Sequence, residues 1–342
     1  MKAVTFTQFG GPEVLTYGDA PEPTIAADEA LVRVRACGIN HLDLWVRAGL
    51  KGLDPEMPHV LGNDVVGEIV AVGSAARHLT VGQKTLVLPT LSCGTCPACM
   101  NGDDHICRSY DVLGRRRNGG YAEFVSVPAV NCLPYPERLP WEQAAAAPLV
   151  FLTAWHMLVG RANLRPGEDV LVMGAGSGVG SAAIQIARLL GARVIATAGT
   201  ADKCERARAL GAHETVNHAT EDIAKRVREV TGKKGADVVA EHVGGAVFEA
   251  GVASLARNGR LVTCGATIGG KVTLDVNVLF GKHVTLMGSW MGRRSEMLAA
   301  LQHLASGALV PVVDSVRPLS EARAAHERIE AREHFGKIVL VP

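Results

Sequence analysis

Aromatic side chains are scarce in this chain: Trp, Tyr and Phe together make up 4% of its 342 residues. No ring-rich stretch therefore points to one particular stacked ligand. Excess charge is almost absent as well, since 35 Lys and Arg oppose 34 Asp and Glu, a formal net of +1. That balance gives no electrostatic reason to expect nucleic acid or an anionic membrane as a partner. No apolar run approaches the roughly 20 residues that a membrane-spanning helix needs. The opening Met1–Phe6 lacks the apolar stretch and small-residue cleavage site of a signal peptide. It reads as the first β-strand of a soluble, cytoplasmic protein. Internal repeats, long linkers and low-complexity tracts are also missing.

What is present is globular: 48% of residues are apolar and 20% charged. A chain of this length suits two domains of ordinary size. Up to about residue 150 the pattern is one of short alternating strands broken by glycine and proline. Ala30–Ala36 and Val65–Gly73 alternate with period two, which predicts an antiparallel, partly barrel-like β domain. From Asp169 onward, apolar strands alternate with amphipathic helices. Strands are predicted at Val170–Met173, Arg193–Thr197, Asp237–Ala240, Arg260–Thr263 and Val284–Met287. Helices are predicted through Ala183–Leu190, Lys203–Leu210 and Ile223–Val230. This α/β alternation predicts a doubly wound parallel sheet. The tail from about residue 291 closes on another strand, Gly336–Val341.

The eight cysteines are unevenly placed. Cys37, Cys132, Cys204 and Cys264 are scattered, whereas Cys93, Cys96, Cys99 and Cys107 form one short cluster. The spacing C-x2-C-x2-C-x7-C allows four thiolates to wrap a single ion, with Gly94, Pro97 and Gly102 supplying bends. Zinc suits it, because four sulfurs complete a tetrahedron and leave no open position, as in structural sites. Iron–sulfur clusters also take four cysteines, but at other spacings. The expected metal content is one structural Zn2+ per chain.

Gly174-Ala-Gly-Ser-Gly-Val-Gly180 lies between a predicted strand and a predicted helix. Backbone amides and a helix N-terminus there can face a pyrophosphate. The strict G-x-G-x-x-G pattern fails in the register of Gly174, since Val179 stands where its third glycine belongs. The small residues Gly176, Ser177, Gly178 and Gly180 still permit close approach, and Val179 and Gly265 complete the expected cofactor contacts. An acid at the end of the second strand would bind ribose hydroxyls and repel a 2′-phosphate. Ala196–Lys203 carries none at the strand end, while Thr200, Lys203 and Arg206 can hold a phosphate. NADP(H) is thus expected over NAD(H), with NAD(H) possible.

These features resemble the medium-chain dehydrogenase/reductase family over essentially the whole length. The likeness rests on Gly62–Gly67, the cysteine loop, Gly119–Phe124, the glycine-rich turn and Gly336–Leu340. It implies a GroES-like catalytic domain, residues 1–150 and 291–342. It also implies a Rossmann domain, residues 151–290, a cleft between the two, and a homodimer or homotetramer.

Zinc alcohol dehydrogenases of that family bind a second, catalytic zinc through a cysteine, a histidine and another cysteine. Here those positions hold Asn40, Asn63 and Leu149. Two amides and a leucine offer neither thiolate nor imidazole, so this zinc is expected to be lost; His41, His59 and Asp64 are the weaker candidates for an improvised site. The pair Asn40 and Asp43, and the segment Leu149–His156, are similar to the zinc-free quinone oxidoreductase branch.

The expected catalytic residues are Asn40 to orient the acceptor, Asp43 to fix local structure, and Thr153 to support the nicotinamide. Tyr121 and His41 are secondary proton-donor candidates. The expected activity is hydride transfer to a quinone or an α,β-unsaturated carbonyl, because such an acceptor spreads charge without a Lewis acid. The alternatives are a zinc-dependent alcohol dehydrogenase and an NADP(H)-binding protein without turnover.

Overall fold

The computed structural model describes all residues, 1–342. The chain forms two compact units, Met1–Leu149 with Arg293–Pro342, and Val150–Gly292.

The first unit is built on Glu29–Gly38, where Ala30, Val32, Val34 and Ala36 are buried and Arg33 and Arg35 face out. Period-two side chains thus divide between core and solvent. In its seven-stranded sheet the order is Cys132–Pro134, Lys84–Val87, Asp64–Val72, Glu29–Gly38, Lys337–Val341, Val313–Pro318, and Phe124–Pro128 also pairs with Glu29–Gly38. All pairings are antiparallel except that of Val313–Pro318 with Lys337–Val341. The last strand of the chain therefore lies inside the sheet, its Val339 opposite Gly38 and its Leu340 opposite Cys37. Local sequence marks such a strand but not its partner.

The second unit is a six-stranded, wholly parallel sheet. Its order is Glu214–Asn217, Arg193–Ala198, Asp169–Val172, Ala236–Glu241, Leu255–Thr263, Thr285–Gly288. Numbered along the chain this is 3-2-1-4-5-6, the doubly wound order of dinucleotide-binding folds. Leu171, Met173, Ile195, Val216, Val239 and Leu261 form the core beneath the helices. Strands buried on both faces read as near-continuous apolar runs, which is why most were legible. Glu214–Asn217 was not, because a four-residue edge strand has only Val216 as an aliphatic signal. Connections reverse direction between Asp169–Val172 and Ala236–Glu241; a crevice at the carboxyl ends of strands at such a point is where ligands bind.

Candidate functional site

The cysteine loop comes first along the chain. Two-residue strands, Thr90–Leu91 and Asp111–Val112, pair antiparallel at its base. The sulfurs of Cys93, Cys96, Cys99 and Cys107 all lie within 4.8 Å of one another. Individual Sγ–Sγ separations are 3.5 Å for Cys93–Cys107, 3.6 Å for Cys96–Cys99, and 3.9 Å for Cys93–Cys99 and Cys96–Cys107. A tetrahedron of Zn–S bonds near 2.3 Å has edges of about 3.8 Å, so the four residues fit zinc. Backbone amides reach two of the sulfurs: Cys96 N donates to Cys93 Sγ and Cys93 N to Cys107 Sγ, both at 3.4 Å. The Thr95 and Cys96 amides pull the Cys93 thiol down to about 6. Between the third and fourth cysteines, Asp103 pairs with Arg293 at 2.7 Å. Asp104 accepts from the Arg294 amide with both oxygens at 3.2 Å. Asp104 therefore caps the N-terminus of helix Arg294–Ser306, where negative charge is favoured.

In the second unit, helix Gly178–Leu189 starts at Ser177, whose Oγ accepts from Gly180 N at 2.8 Å. A side chain at Gly180 would put its Cβ 2.2 Å from the Gly174 carbonyl oxygen, so only glycine closes this turn. His242 lies over it, with Nε2 2.8 Å from Ser177 Oγ. Gly176, Gly178 and Val179 are partly exposed along the same turn. Gly265 follows the strand Leu255–Thr263, and its carbonyl accepts from Thr263 Oγ1 at 3.1 Å. No acid stands where Arg193–Ala198 ends; Gly199 and Thr200 follow, and Thr200 Oγ1 caps the next helix by accepting from Lys203 N at 3.2 Å. The His218 ring covers Gly199, at 3.1 Å from where a Cβ would sit. These groups suit the adenosine half of a dinucleotide. Thr153 is buried in the same unit, its hydroxyl 3.8 Å from Met291 Sδ.

Asn40 and Asp43 lie in the first unit within a buried polar cluster that extends well beyond them. Asn40 precedes helix His41–Ala48, and its amide nitrogen donates to Asp43 Oδ2 at 2.7 Å. Asn40 Nδ2 donates to Asn63 Oδ1 at 2.6 Å and to Asp64 Oδ2 at 2.8 Å. Its Oδ1 accepts from Lys337 Nζ at 2.5 Å. Lys337 also donates to the Ile39 carbonyl at 2.5 Å and to Asp64 Oδ2 at 2.9 Å. Asp64 Oδ1 accepts from Leu149 N at 2.7 Å. Asp64 is fully buried and Lys337 only 4% exposed.

Asp43 takes four donors in all. Gly62 N and Asn63 Nδ2 reach Oδ1 at 3.1 Å; Asn40 N and Tyr121 OH reach Oδ2, the latter at 3.3 Å. Burial pushes its pKa up to about 7, and the Asn40 amide, the Lys337 charge and the Gly62 amide oppose that shift. Gly62 has φ +102, and any Cβ there would meet the Tyr121 ring at 2.5 Å. Tyr121 OH in turn sits 3.1 Å from His326 Nε2, and His326 Nδ1 lies 2.9 Å from Arg47 Nη1. A guanidinium only donates, so His326 Nδ1 must accept. The proton is then on Nε2, and Tyr121 accepts from it and donates to Asp43. Burial, with the nearby Arg47 charge, lowers His326 to about 3. Arg47 ends the chain of bonds in a short ion pair with Glu330.

Sequence reading identified Asn40, Asn63 and Asp43 but not Lys337, His326 or Arg47. Lys337 carried one signal, a lysine opening the apolar run Ile338–Val341. His326 and Arg47 lie on amphipathic helices, where a buried polar residue reads as surface.

His41 is separate from these bonds; its ring lies 6.4 Å from those of Trp45 and His334. Burial and the Lys337 and Arg332 charges lower it to about 4. His59 is buried with Nε2 3.0 Å from the Gly114 carbonyl. Neither histidine joins Asp64 in a group of convergent ligand atoms, and such a group occurs only at the four cysteines.

A cysteine loop in a GroES-like β unit, together with a doubly wound unit and its glycine-rich turn, defines the class of zinc-bearing nucleotide-dependent dehydrogenases. The comparisons agree. The alcohol dehydrogenase GroES-like domain matches residues 26–137, and the zinc-binding dehydrogenase domain matches residues 178–306. A quinone oxidoreductase of Pongo abelii is 32% identical over 349 residues, covering 100% of this chain and 98% of that protein. An alcohol dehydrogenase of Geobacillus stearothermophilus is 32% identical over 342 residues, covering 99% of each. The crystal structure of an NAD-dependent alcohol dehydrogenase superposes with a TM-score of 0.97 at 46% identity, covering 100% of both chains. The chain belongs to the medium-chain dehydrogenase/reductase family, in its quinone oxidoreductase branch, and is an NAD(P)-dependent oxidoreductase. No helix in it is long and apolar enough to cross a membrane.

Proposed function

We propose that this enzyme reduces activated acceptors, quinones or α,β-unsaturated carbonyls, at a site without catalytic metal. One observation carries the reading. The three positions that bind catalytic zinc in alcohol dehydrogenases of the family are Asn40, Asn63 and Leu149, and their polar atoms are bonded to one another and to Asp64 and Lys337. Metal ligation needs lone pairs converging on one vacant point. Here Asn40 presents N–H donors to Asn63 and Asp64 and gives its oxygen to an ammonium. This donor set does not fit a divalent cation. The cysteine loop does, and holds one structural zinc.

Without a Lewis acid, a simple ketone is poorly polarised and a bound alcohol keeps a high pKa. An activated acceptor needs less help, because hydride adds at one atom while charge develops on a distant oxygen. Bound NADPH supplies the hydride, and a proton from solvent completes the reduced product. Gly176, Ser177, Gly178, Val179 and Gly265 would hold the dinucleotide, and Thr200 and Lys203 its adenosine end. The missing acid after Ala198 favours NADP(H); the similar NAD-dependent alcohol dehydrogenase makes NADH the competing cofactor.

Within the site, Asn40 acts by fixing the wall rather than by donating to the acceptor, since both its amide protons are engaged. Asp43 holds Asn40, Gly62, Asn63 and Tyr121 in place, and Thr153 supports the nicotinamide. Arg47 cannot pass a proton onward, so the Tyr121–His326 chain orders the site and is no relay.

Zinc-dependent alcohol oxidation is the second reading, favoured by the alcohol dehydrogenase names of two similar proteins. Turnover decides: NADPH oxidation should proceed with quinones or enals, while primary alcohols with NADP+ give almost none. Chelator-sensitive alcohol oxidation as the dominant activity would reverse the assignment. We also infer a homodimer as the basic assembly. Strand Thr285–Gly288 ends its sheet, and the adjoining helix Val276–Lys282 exposes Val276 and Phe280. Eight unpaired cysteines suit the reducing cytoplasm.

A further inference from the structure

We propose that His218 is a specificity-determining residue of the cofactor site: its imidazole, held over Gly199 beside Lys203, binds the 2′-phosphate of NADP(H) and finds no counterpart in NAD(H). The inference rests on the NADP(H) preference proposed above and deepens it, by naming the group that makes this preference depend on pH.

The placement follows from strand register. Glu214–Asn217 runs parallel to Arg193–Ala198 with Asn217 opposite Ala198, and the His218 amide extends the ladder by donating to the Ala198 carbonyl at 3.0 Å. The ring thus stands over the residue that follows the second strand, where an acid would hold ribose hydroxyls. A Cβ on Gly199 would come within 3.1 Å of Nε2 and 3.5 Å of Cε1, so glycine lets the imidazole lie this close. His218 is exposed, and its ring makes no hydrogen bond within the chain.

Lys203 is the charge that acts on this ring; Asp202 and Arg206, on the same helix, do not. Ala198, Gly199 and Thr200 bring none. On the loop of His218 itself, Glu221 accepts from Asn217 N at 2.7 Å and lies 3.8 Å from Arg226. Imidazole and ammonium therefore meet without an opposing carboxylate, which suits a phosphate dianion. Loss of water on the side facing Gly199, and then the Lys203 charge, lower His218 below its ordinary 6.5. The free ring is neutral at pH 7, while a phosphate beside it favours the imidazolium. Binding NADP(H) accordingly takes up a proton from solvent, and binding NAD(H) does not. By linkage, affinity for NADP(H) falls as pH rises and that for NAD(H) stays level.

Dissociation constants for NADPH and NADH, read from cofactor fluorescence between about pH 6.5 and 8.5, test this above the phosphate's own second ionisation. In the wild type the NADPH constant should rise about tenfold across that window and the NADH constant less than about twofold. Calorimetry near pH 7, in buffers of different ionisation enthalpy, should find proton uptake with NADPH and none with NADH. His218→Gln keeps an N–H donor without a titrating ring, so it should still prefer NADPH but with a flat pH profile. His218→Phe keeps a ring over Gly199 and loses the donor. It should bind NADPH about tenfold more weakly at the acid end of the window, with NADH binding and melting temperature unchanged.

A lower melting temperature in His218→Phe, with both cofactors weakened in parallel, would mark a structural histidine and overturn the proposal. So would wild-type NADPH binding that is tighter than NADH yet independent of pH, a result that leaves the NADP(H) preference standing. NADPH binding no tighter than NADH at any pH would remove that preference, and this inference with it.

Discussion

Acid should loosen this protein through His326, and the size of the effect can be worked out. The imidazole is fully buried between Arg47 and Tyr121, and burial with the Arg47 charge lowers its pKa from 6.5 to about 3. Below pH 6.5 the unfolded chain binds a proton there that the folded chain refuses. The stability conferred by the neutral ring is therefore complete above pH 6.5 and is lost as pH falls from 6.5 toward 3. Each pH unit in that window costs about 1.4 kcal/mol, so pH 5 removes about 2 kcal/mol relative to pH 7. His326→Gln separates this from other acid effects. Its amide oxygen can accept from Arg47 and its NH2 can donate to Tyr121, keeping the bond pattern without a titrating group. Melting temperatures of both proteins are measured at pH 7 and pH 5. The wild type should lose about 4–8 °C more than the variant, as about 2 kcal/mol implies for a unit of this size. Equal losses would show that His326 is not held neutral, and the inferred direction of the Tyr121–Asp43 bond would fall with it.

Other outcomes follow from the same geometry. Lys337→Met leaves Asp64 charged, buried and without its counterion, at a cost of about 3–5 kcal/mol; a loss below about 1 kcal/mol in thermal unfolding would contradict the pairing. Tyr121→Phe removes one donor from Asp43 and leaves His326 Nε2–H without an acceptor. It should destabilise by about 1–3 kcal/mol, read as a lowered denaturation midpoint with unchanged zinc content. Cys107→Ser should abolish zinc retention and, by freeing the turn that carries Asp103 and Asp104, speed proteolysis near Arg293. Wild-type cleavage rates there would separate the loop from that helix. Lys203→Ala should raise KM for NADPH about tenfold or more while leaving that for NADH nearly unchanged, and parallel increases would remove Lys203 from phosphate binding.

Much of this architecture is carried by local pattern. The parallel sheet was legible because its strands are short apolar runs between amphipathic helices, and the zinc loop because four thiols at fixed spacing have few other uses. The buried cluster around Asn40 was legible only as an absence, amides and a leucine where ligands were expected. Its organisation depends on pairing between Gly38 and Val339, some 300 residues apart in sequence. No local signal encodes that partnership, so Lys337 read as the start of a strand. The helix Ala322–Glu330 likewise buries His326 against Arg47 and Tyr121, contacts that amphipathic periodicity does not specify.

The central claim is that metal shapes this protein but takes no part in moving hydride. Metal analysis of the purified enzyme, paired with turnover before and after exhaustive chelation under conditions that spare the folded state, tests it most directly. The account predicts one zinc per chain, held by Cys93, Cys96, Cys99 and Cys107, with quinone reduction by NADPH insensitive to chelator as long as the protein remains folded. Two zincs per chain, and activity that disappears with the more labile one, would contradict it.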